Sequence, residues 1–174
     1  MKGCEGKETD KGCFNKIKSH RNRYITIALI LIILGMANLL FAFCRITGDS
    51  MDPNYKTGDY VLVFRTGSLY RDDVIVFKHR DKTLCRRIIG ITDDVVDLDE
   101  NGNVFLNGQF KQDNHHIIKS YEPCDIAFPI KVVGKGFFVM GDNRQISLDS
   151  RIGDLGLVDP NKIIGKVVFR IHLF

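Results

Sequence analysis

The fold class is determined by residues 58–91, GDYVLVFRTGSLYRDDVIVFKHRDKTLCRRIIGI. Three apolar runs lie in this stretch, at residues 60–64, 73–77 and 87–91, and each is rich in Val, Ile or Phe. Glycine, aspartate and basic residues separate the runs. Runs of β-branched and aromatic residues between such turn residues are typical of strands. We therefore predict three strands joined by turns.

The same pattern of short apolar runs and turns continues to the end of the chain. Residues 104–106, 136–140 and 165–170 are further candidate strands, and Asn107-Gly108 has the chemistry of a tight hairpin turn. No stretch from Ile46 onward has sustained helical periodicity. We predict one mainly β domain, a strongly bent or barrel-like antiparallel sheet, with loop excursions near residues 111–130.

A long apolar segment precedes the predicted β domain. Residues 24–43, YITIALILIILGMANLLFAF, contain no charged residue and no proline. A helix of this length spans about 30 Å, the thickness of a bilayer's hydrocarbon core. A cleaved signal peptide would have a shorter apolar region and small residues at its cleavage site, whereas this segment ends in Phe43-Cys44-Arg45. We predict an uncleaved transmembrane helix at residues 24–43, between a basic arm at residues 1–23 and a β domain at residues 44–174.

The charge distribution predicts how this helix is oriented. The formal net charge is +4, and residues 1–23 contain seven basic and three acidic residues, so the rest of the chain is neutral overall. Basic residues beside a membrane span stay on the cytoplasmic side. We predict a single-pass protein of the cell membrane with a cytoplasmic N-terminus and an extracytoplasmic β domain. The bilayer is a predicted partner, and a neutral domain gives no reason to expect nucleic acid.

Three polar segments stand out in the predicted β domain. A serine lies in a loop between glycine and proline, two arginines open a strand, and a strand ends in a loop dense with hydrogen-bonding groups. Taken singly, the serine loop is most simply a turn, and the last loop is a solvated one in which Asp149 and Arg151 can pair. The segments are Gly48-Asp49-Ser50-Met51-Asp52-Pro53, Arg86-Arg87-Ile88-Ile89-Gly90, and Gly141-Asp142-Asn143-Arg144 with Ser147 and Asp149-Ser150-Arg151.

Taken together, in this order, the three segments resemble the motifs of the type I signal peptidases. These are membrane-anchored serine endopeptidases that remove signal peptides from exported proteins, and the resemblance runs from the apolar segment to near the end of the chain. It implies a signal-peptidase-type β fold, exported precursors as partners, a Ser-Lys dyad and no metal or organic cofactor.

The resemblance also implies roles for individual residues. Ser50 is the expected nucleophile, with oxyanion donors near Gly48 and Asp49. An extended substrate is expected beside Gly48 and beside Thr83, Leu84 and Cys85. Ser147 corresponds to the hydroxyl that orients the base, and Asp149 with Arg151 to the pair that braces the loop. Gly141 and Asp142 belong to the same supporting loop.

The sequence departs from the family at one position, because the general-base lysine is replaced by Arg86. Burial can lower the pKa of a lysine until a neutral amine exists near pH 7. Arginine starts at a pKa of roughly 12.5 to 13.8 and stays protonated under comparable burial. Lys82 lies about 13 Å along the same strand at roughly 3.3 Å per residue, Lys78 lies on the neighbouring strand, and no histidine has a motif context.

Two functions therefore remain open from the sequence. The chain is either a signal peptidase I-like endopeptidase with an unusual base or low activity, or a non-catalytic homologue that binds secreted or surface-fibre proteins as an assembly factor. Ser50 favours the first and Arg86 the second. The spacing of Cys85 and Cys124 does not decide whether they pair, and we interpret both as small apolar side chains.

Overall fold

The computed structural model describes residues 8–172, with side chains from residue 22 onward. The chain divides into two compact units after Leu40. The first is helical and the second contains every strand. The predicted mainly β class with one N-terminal apolar helix is confirmed.

The helix α1 comprises Glu8–Leu40, and its segment Asn22–Leu40 is long and apolar enough to cross a membrane, with a mean hydropathy of 2.0. None of that segment is buried within the structure. The structural boundary lies three residues before the predicted one, because residues 41–43 belong to strand β1, Phe41–Arg45. β1 pairs with the next strand, and the rings of Phe41 and Phe64 lie 5.2 Å apart, so sheet hydrogen bonds and an aromatic contact end the helix here.

Six strands form the larger sheet, in the order β1-β2-β10-β3-β4-β9, and every neighbouring pair is antiparallel. Its strands after β1 are β2 Tyr60–Phe64, β3 Val74–His79, β4 Lys82–Gly90, β9 Phe138–Met140 and β10 Ile163–Ile171. The pairing shifts register in β10 and between Ile88 and Gly90 of β4. Such irregularities increase local twist and bend the sheet.

Four short strands form a second antiparallel sheet, in the order β7-β6-β5-β8. They are β5 Val95–Leu98, β6 Val104–Leu106, β7 Gln109–Phe110 and β8 Ile130–Lys131. The sequence predicted only β6 among these, because β7 and β8 have two residues each and the apolar residues of β5 lie among aspartates, which favour loops. Residues 111–129 form no strand, in agreement with the predicted loop excursion.

The core lies on both faces of β4, because successive side chains of a strand point to opposite sides. Ile88 packs in one buried cluster with Ile75 and Phe77. Its neighbour Ile89 packs in another cluster, which joins the two sheets through Val96 and Phe138. Strand β4 is therefore fixed from both sides, and it carries Arg86 and Arg87 immediately before these two isoleucines.

Candidate active site

A groove of about 280 Å³ lies between the segment that follows β1 and the first half of β4. It is lined by residues from both segments, among them Ile46, Thr47, Ser50, Thr83, Leu84, Cys85 and Arg86. β3 pairs with β4 from Lys82 to Arg87, whereas β9 pairs with it only from Arg87 to Gly90. Within residues 8–172, the other edge of β4 is therefore unpaired from residue 82 to residue 86, and it faces the groove.

Ser50 lies in the turn that follows β1, and hydrogen bonds fix this turn on two sides. The carbonyl of Ser50 accepts a hydrogen bond from the backbone N–H of Asn143 at 3.0 Å, and the Asn54 amide donates to Asp142 at 2.8 Å. On the other side the Thr57 hydroxyl donates to the Asp49 carboxylate at 2.7 Å. Ser50 is thus held by contacts with residues close in sequence and with residues about ninety positions away.

Gly48 and Asp49 take part in this turn without lining the groove. Gly48 has a φ of 86°, a left-handed conformation that favours glycine. Asp49 is engaged by Thr57. The structure therefore brings Ser50, Thr83, Leu84, Cys85 and Arg86 together in the groove, whereas the other two predicted groove residues do not line it.

The guanidinium of Arg86 lies against the hydroxyl of Ser50. Its Nη1 donates to Ser50 Oγ at 2.8 Å and to the Cys85 carbonyl at 2.5 Å, and its Nε donates to the Leu148 carbonyl at 2.8 Å. Arg86 is 4% exposed. Burial lowers its pKa from the ordinary 12.5, and nearby Asp149 partly offsets that effect. Because the starting pKa is so high, the guanidinium stays charged at neutral pH.

The supporting loop after β9 is built around a buried ion pair. Arg151 donates to both oxygens of Asp149, from Nε at 2.9 Å and from Nη2 at 3.0 Å, so the pair predicted from the sequence is present. Asp149 also accepts from the backbone N–H of Gly141 at 3.0 Å. Both side chains are fully buried.

Ser147 does not contact Arg86 by a hydrogen bond. Its Oγ is buried and has no hydrogen-bond partner among the residues that the structure describes. The carbonyls of Cys85 and Leu148 orient Arg86 instead, which differs from the role that the resemblance implies for Ser147. Gly141 allows the loops to approach, since a Cβ there would lie 2.3 Å from Ser147 Oγ and 2.5 Å from the Ser50 carbonyl oxygen.

Arg87 is a site residue to which sequence reasoning gave no role of its own. It donates to both oxygens of Asp142, from Nε at 2.8 Å and from Nη2 at 2.6 Å, and the pair is buried. Asp142 also binds Asn54 of the serine turn. Arg87 therefore supports the turn that holds Ser50. Strand alternation was the available signal, because it turns Arg87 away from the face that Arg86 occupies.

The residues considered as alternative bases lie elsewhere. Lys82 is exposed and pairs in the hairpin with His79, which in turn contacts Asp154. His172 is bound to Asp59 at 2.5 Å, and His115 lines a different cavity. His20 lies in the part of α1 whose side chains are not described.

The remaining reactive side chains of the region with described side chains are its three cysteines. Cys44, Cys85 and Cys124 carry free thiols. Burial raises the pKa of Cys85 to about 12, so the thiol beside Arg86 is protonated at neutral pH. Among residues with described side chains, no three His, Cys, Asp or Glu residues are grouped so that they could hold a metal ion.

The second unit is a bent β domain with a serine in a groove beside an unpaired strand edge, and the first contains a helix long and apolar enough to cross a membrane. Residues 20–172 match the family model described as "Signal peptidase, peptidase S26". The chain belongs to this signal peptidase family.

Curated relatives and a solved structure resemble the chain over most of their own length. Signal peptidase IB of Staphylococcus aureus is 33% identical over an alignment 172 residues long, and the match covers 86% of this chain and 88% of that protein. Signal peptidase I S of Bacillus subtilis (strain 168) is 34% identical over 163 residues, 86% of each. A crystal structure of a signal peptidase I from Enterococcus faecalis V583 is 22% identical with a TM-score of 0.48, and the match covers 59% of this chain and 98% of that one.

Proposed function

We propose that this chain binds the signal-peptide region of exported precursor proteins in the groove beside Ser50, and that it hydrolyses them far more slowly than a family member with a lysine at position 86. The observation that carries this proposal is the hydrogen bond from Arg86 Nη1 to Ser50 Oγ at 2.8 Å. The base position of the family is occupied by a group that only donates.

The hydroxyl of Ser50 must lose its proton to attack a carbonyl carbon. A guanidinium has five N–H donors and no lone pair that accepts a proton at neutral pH. Among residues 22–172, no carboxylate, imidazole or amine hydrogen-bonds Ser50 Oγ. Proton transfer to a positioned base contributes about 10²- to 10⁴-fold to a reaction rate, and this is the factor that the chain lacks.

Binding does not need that proton transfer. The unpaired edge of β4 at residues 82–86 offers backbone groups to an extended peptide, as in β-strand addition. Ile46, Val76 and Leu84 line the groove and offer apolar contacts to small side chains. Members of the family act on the signal peptides of exported proteins, so a precursor segment of this kind is the proposed ligand.

We assign the N-terminus to the cytoplasm and the β domain to the outer side of the membrane. The excess of basic residues in the first 23 positions supports this orientation, and α1 provides the span. In this orientation the groove would bind precursor proteins after they have crossed the membrane.

Peptide binding without any hydrolysis is the alternative function, and the position of Ser50 favours slow hydrolysis over it. The serine turn is tied to Asn143 and Asp142, and Ser50 lines the groove as a nucleophile would. A nucleophile held in this position can still react, at the low rate that the missing base allows.

The test uses the detergent-solubilised full chain and a fluorogenic signal-peptide substrate, with cleavage and binding both measured. We expect the unmodified chain and Ser50→Ala to bind the peptide with similar affinity and to cleave it at or near background. Arg86→Lys should raise turnover at least about 100-fold, because a buried lysine yields a neutral amine. Adding Ser50→Ala to Arg86→Lys should abolish the gain.

Arg80→Lys is the matched control, since Arg80 is exposed and paired with Asp154, so turnover should not change. Rapid cleavage by the unmodified chain that Ser50→Ala abolishes would contradict the assigned role of Arg86. Absence of peptide binding by the unmodified chain would contradict the proposal as a whole.

A further inference from the structure

Arg86 differs from the other buried arginines around the site in having no anionic partner. Arg87 and Arg151 each bind a buried aspartate through two nitrogens. Arg144 lies 3.9 Å from Asp113. Among the described residues, no carboxylate lies within 4 Å of the Arg86 guanidinium, although the side chain is only 4% exposed.

A buried cation without a counter-ion is energetically costly, and its position indicates where an anion is missing. The nearest aspartates cannot fill the gap, because Asp142 is fully engaged by Arg87 and Asn54, and Asp149 by Arg151 and the Gly141 N–H. Arg86 Nη1 and Nε already have acceptors.

The remaining donors of Arg86 are open to the groove. Nη2 makes no hydrogen bond within the described part of the chain, and it is not among the enclosed polar atoms that lack a partner there. It is therefore reachable by solvent, and the cavity that Arg86 lines is the groove. An anion that enters the groove meets a charged N–H donor beside the hydroxyl of Ser50.

The pairing of β4 shows where an extended peptide in the groove would end. Its free edge runs from residue 82 to residue 86, and from Arg87 onward β9 occupies that edge. A peptide strand added there must stop or turn away at Arg86. A chain whose N-terminal amine lay at this point would be repelled by the guanidinium, whereas a C-terminal carboxylate would be attracted.

We propose that the groove is a receptor for peptides that end in a free C-terminal carboxylate, in particular the signal peptides released by hydrolysis of precursors, with Arg86 and Ser50 binding the carboxylate. This inference deepens the proposed function and rests on the groove being a peptide site. The reaction that supplies the ligand is peptide-bond hydrolysis by a catalytically competent signal peptidase, which leaves a new carboxylate on the released segment.

The experiment compares four labelled peptides that share one signal-peptide sequence ending in alanine, with the solubilised full chain at pH 7. The first has a free C-terminal carboxylate and the second a C-terminal amide. The third continues past the cleavage site. In the fourth, aspartate replaces the final alanine and the C-terminus is an amide. Fluorescence anisotropy gives each dissociation constant.

We expect the free acid to bind at least about tenfold more tightly than the amide or the continued peptide, because charge-assisted hydrogen bonds are the strong ones. The ratio of acid to amide affinity should fall to about one in Arg86→Met. It should be unchanged in Arg80→Met, which removes an exposed arginine from the same domain. In the unmodified chain, the acid should also raise the melting temperature more than the amide does, a measurement that needs no variant.

Equal affinity for acid and amide, or a preference that survives Arg86→Met, would overturn the inference. If the continued peptide binds as tightly as the acid, the carboxylate preference is wrong while the proposed precursor binding stands. If only the acid binds, the carboxylate site stands and precursor binding is wrong. Tight binding of the aspartate amide with weak binding of the acid would assign the site to a side-chain carboxylate and contradict the C-terminal one.

Discussion

At the scale of single residues, the site depends on two adjacent arginines in opposite electrostatic situations. Arg87 is neutralised by Asp142, and together they fix the serine turn through Asn54. Arg86 donates only to carbonyls and to a hydroxyl. A buried charge without an opposite charge beside it destabilises the fold unless a ligand supplies that opposite charge. Arg86 is therefore the residue of this site that a bound anion would stabilise.

The buried hydroxyl of Ser147 leads to a prediction about stability and turnover. Its buried Oγ has no hydrogen-bond partner in the described structure, so Ser147→Ala removes an unsatisfied hydroxyl and should leave the free energy of unfolding unchanged or raised by up to about 1 kcal/mol. In the Arg86→Lys background the same change should lower the restored turnover if Ser147 orients a lysine base, which is the role that the family resemblance implies for it. Denaturant unfolding and peptide cleavage measure the two effects.

Ser150→Ala is the matched control for this prediction. Ser150 is also buried, but its Oγ accepts the backbone N–H of Val139 at 2.9 Å. Its loss should cost about 1 to 3 kcal/mol, since a buried donor is left unpaired. A comparable loss in Ser147→Ala would show that the Ser147 hydroxyl is satisfied, contrary to the structure.

At the scale of elements, β4 connects the core to the groove. Its second half is paired on both edges and contributes Ile88 and Ile89 to two hydrophobic clusters. Its first half is paired on one edge only and faces the groove. Arg86 is the last residue of the half that is paired on one edge, and the half that is paired on both edges follows it directly. The core therefore positions the edge that binds the ligand, and loops do not.

Asp94 links three further elements and gives a prediction about pH. It binds Arg71 of the β2–β3 connection through both oxygens, the backbone N–H of Ile91, and Asn107 of the β6–β7 turn. Burial alone would raise the pKa of Asp94, but these hydrogen bonds and the Arg71 charge outweigh it and hold the pKa at about 2.

Because the folded-state pKa lies below the unfolded value of about 3.9, the stabilising contribution of Asp94 is present above about pH 4 and is lost as the pH falls towards 2. The free energy of unfolding should therefore decrease over this interval with a contribution of up to about 1.4 kcal/mol per pH unit from Asp94. Asp94→Asn should remove that contribution. Thermal unfolding of the β domain between pH 7 and pH 2 measures the slopes.

Asp93→Asn is the control, since the Asp93 side chain is 83% exposed and its only ion pair in the described region is with exposed Lys131 at 3.7 Å. Its pH profile should match that of the unmodified chain. An Asp94→Asn profile as steep as the original would contradict the account of Asp94.

At the scale of the whole molecule, the proposed membrane orientation predicts which end of the chain an external protease can reach. With a tag at each end, protease added to intact protoplasts should remove the C-terminal tag and leave the N-terminal tag, which becomes accessible only after permeabilisation. Replacing Lys16, Lys18, Arg21 and Arg23 by glutamine should lower the fraction of correctly oriented chains, because the basic flank fixes the cytoplasmic end. Protection of the C-terminal tag in intact cells would reverse the assignment.

Local pattern was enough to predict the apolar helix, the mainly β class, strands β2, β3, β6 and β9, parts of β4 and β10, and the motif residues that carry the family resemblance. It also revealed the arginine at the base position, because identity needs no coordinates. Strands β7 and β8 escaped prediction because they are too short for a pattern, β5 because aspartates surround it, and β1 because its apolar residues continue those of the helix.

Which of the buried charges are paired depends on the packing of the whole chain. Arg86 and Arg87 are adjacent residues of the same type, yet Asp142, 55 residues from Arg87, forms an ion pair with Arg87, and no described carboxylate lies within 4 Å of Arg86. The same holds for Ser147 and Ser150, and for the strand edge that β9 closes at Arg87. The Arg87–Asp142 ion pair and the pairing of β4 with β9 join residues distant in sequence, so their presence is a property of the packed chain and not of any segment of it.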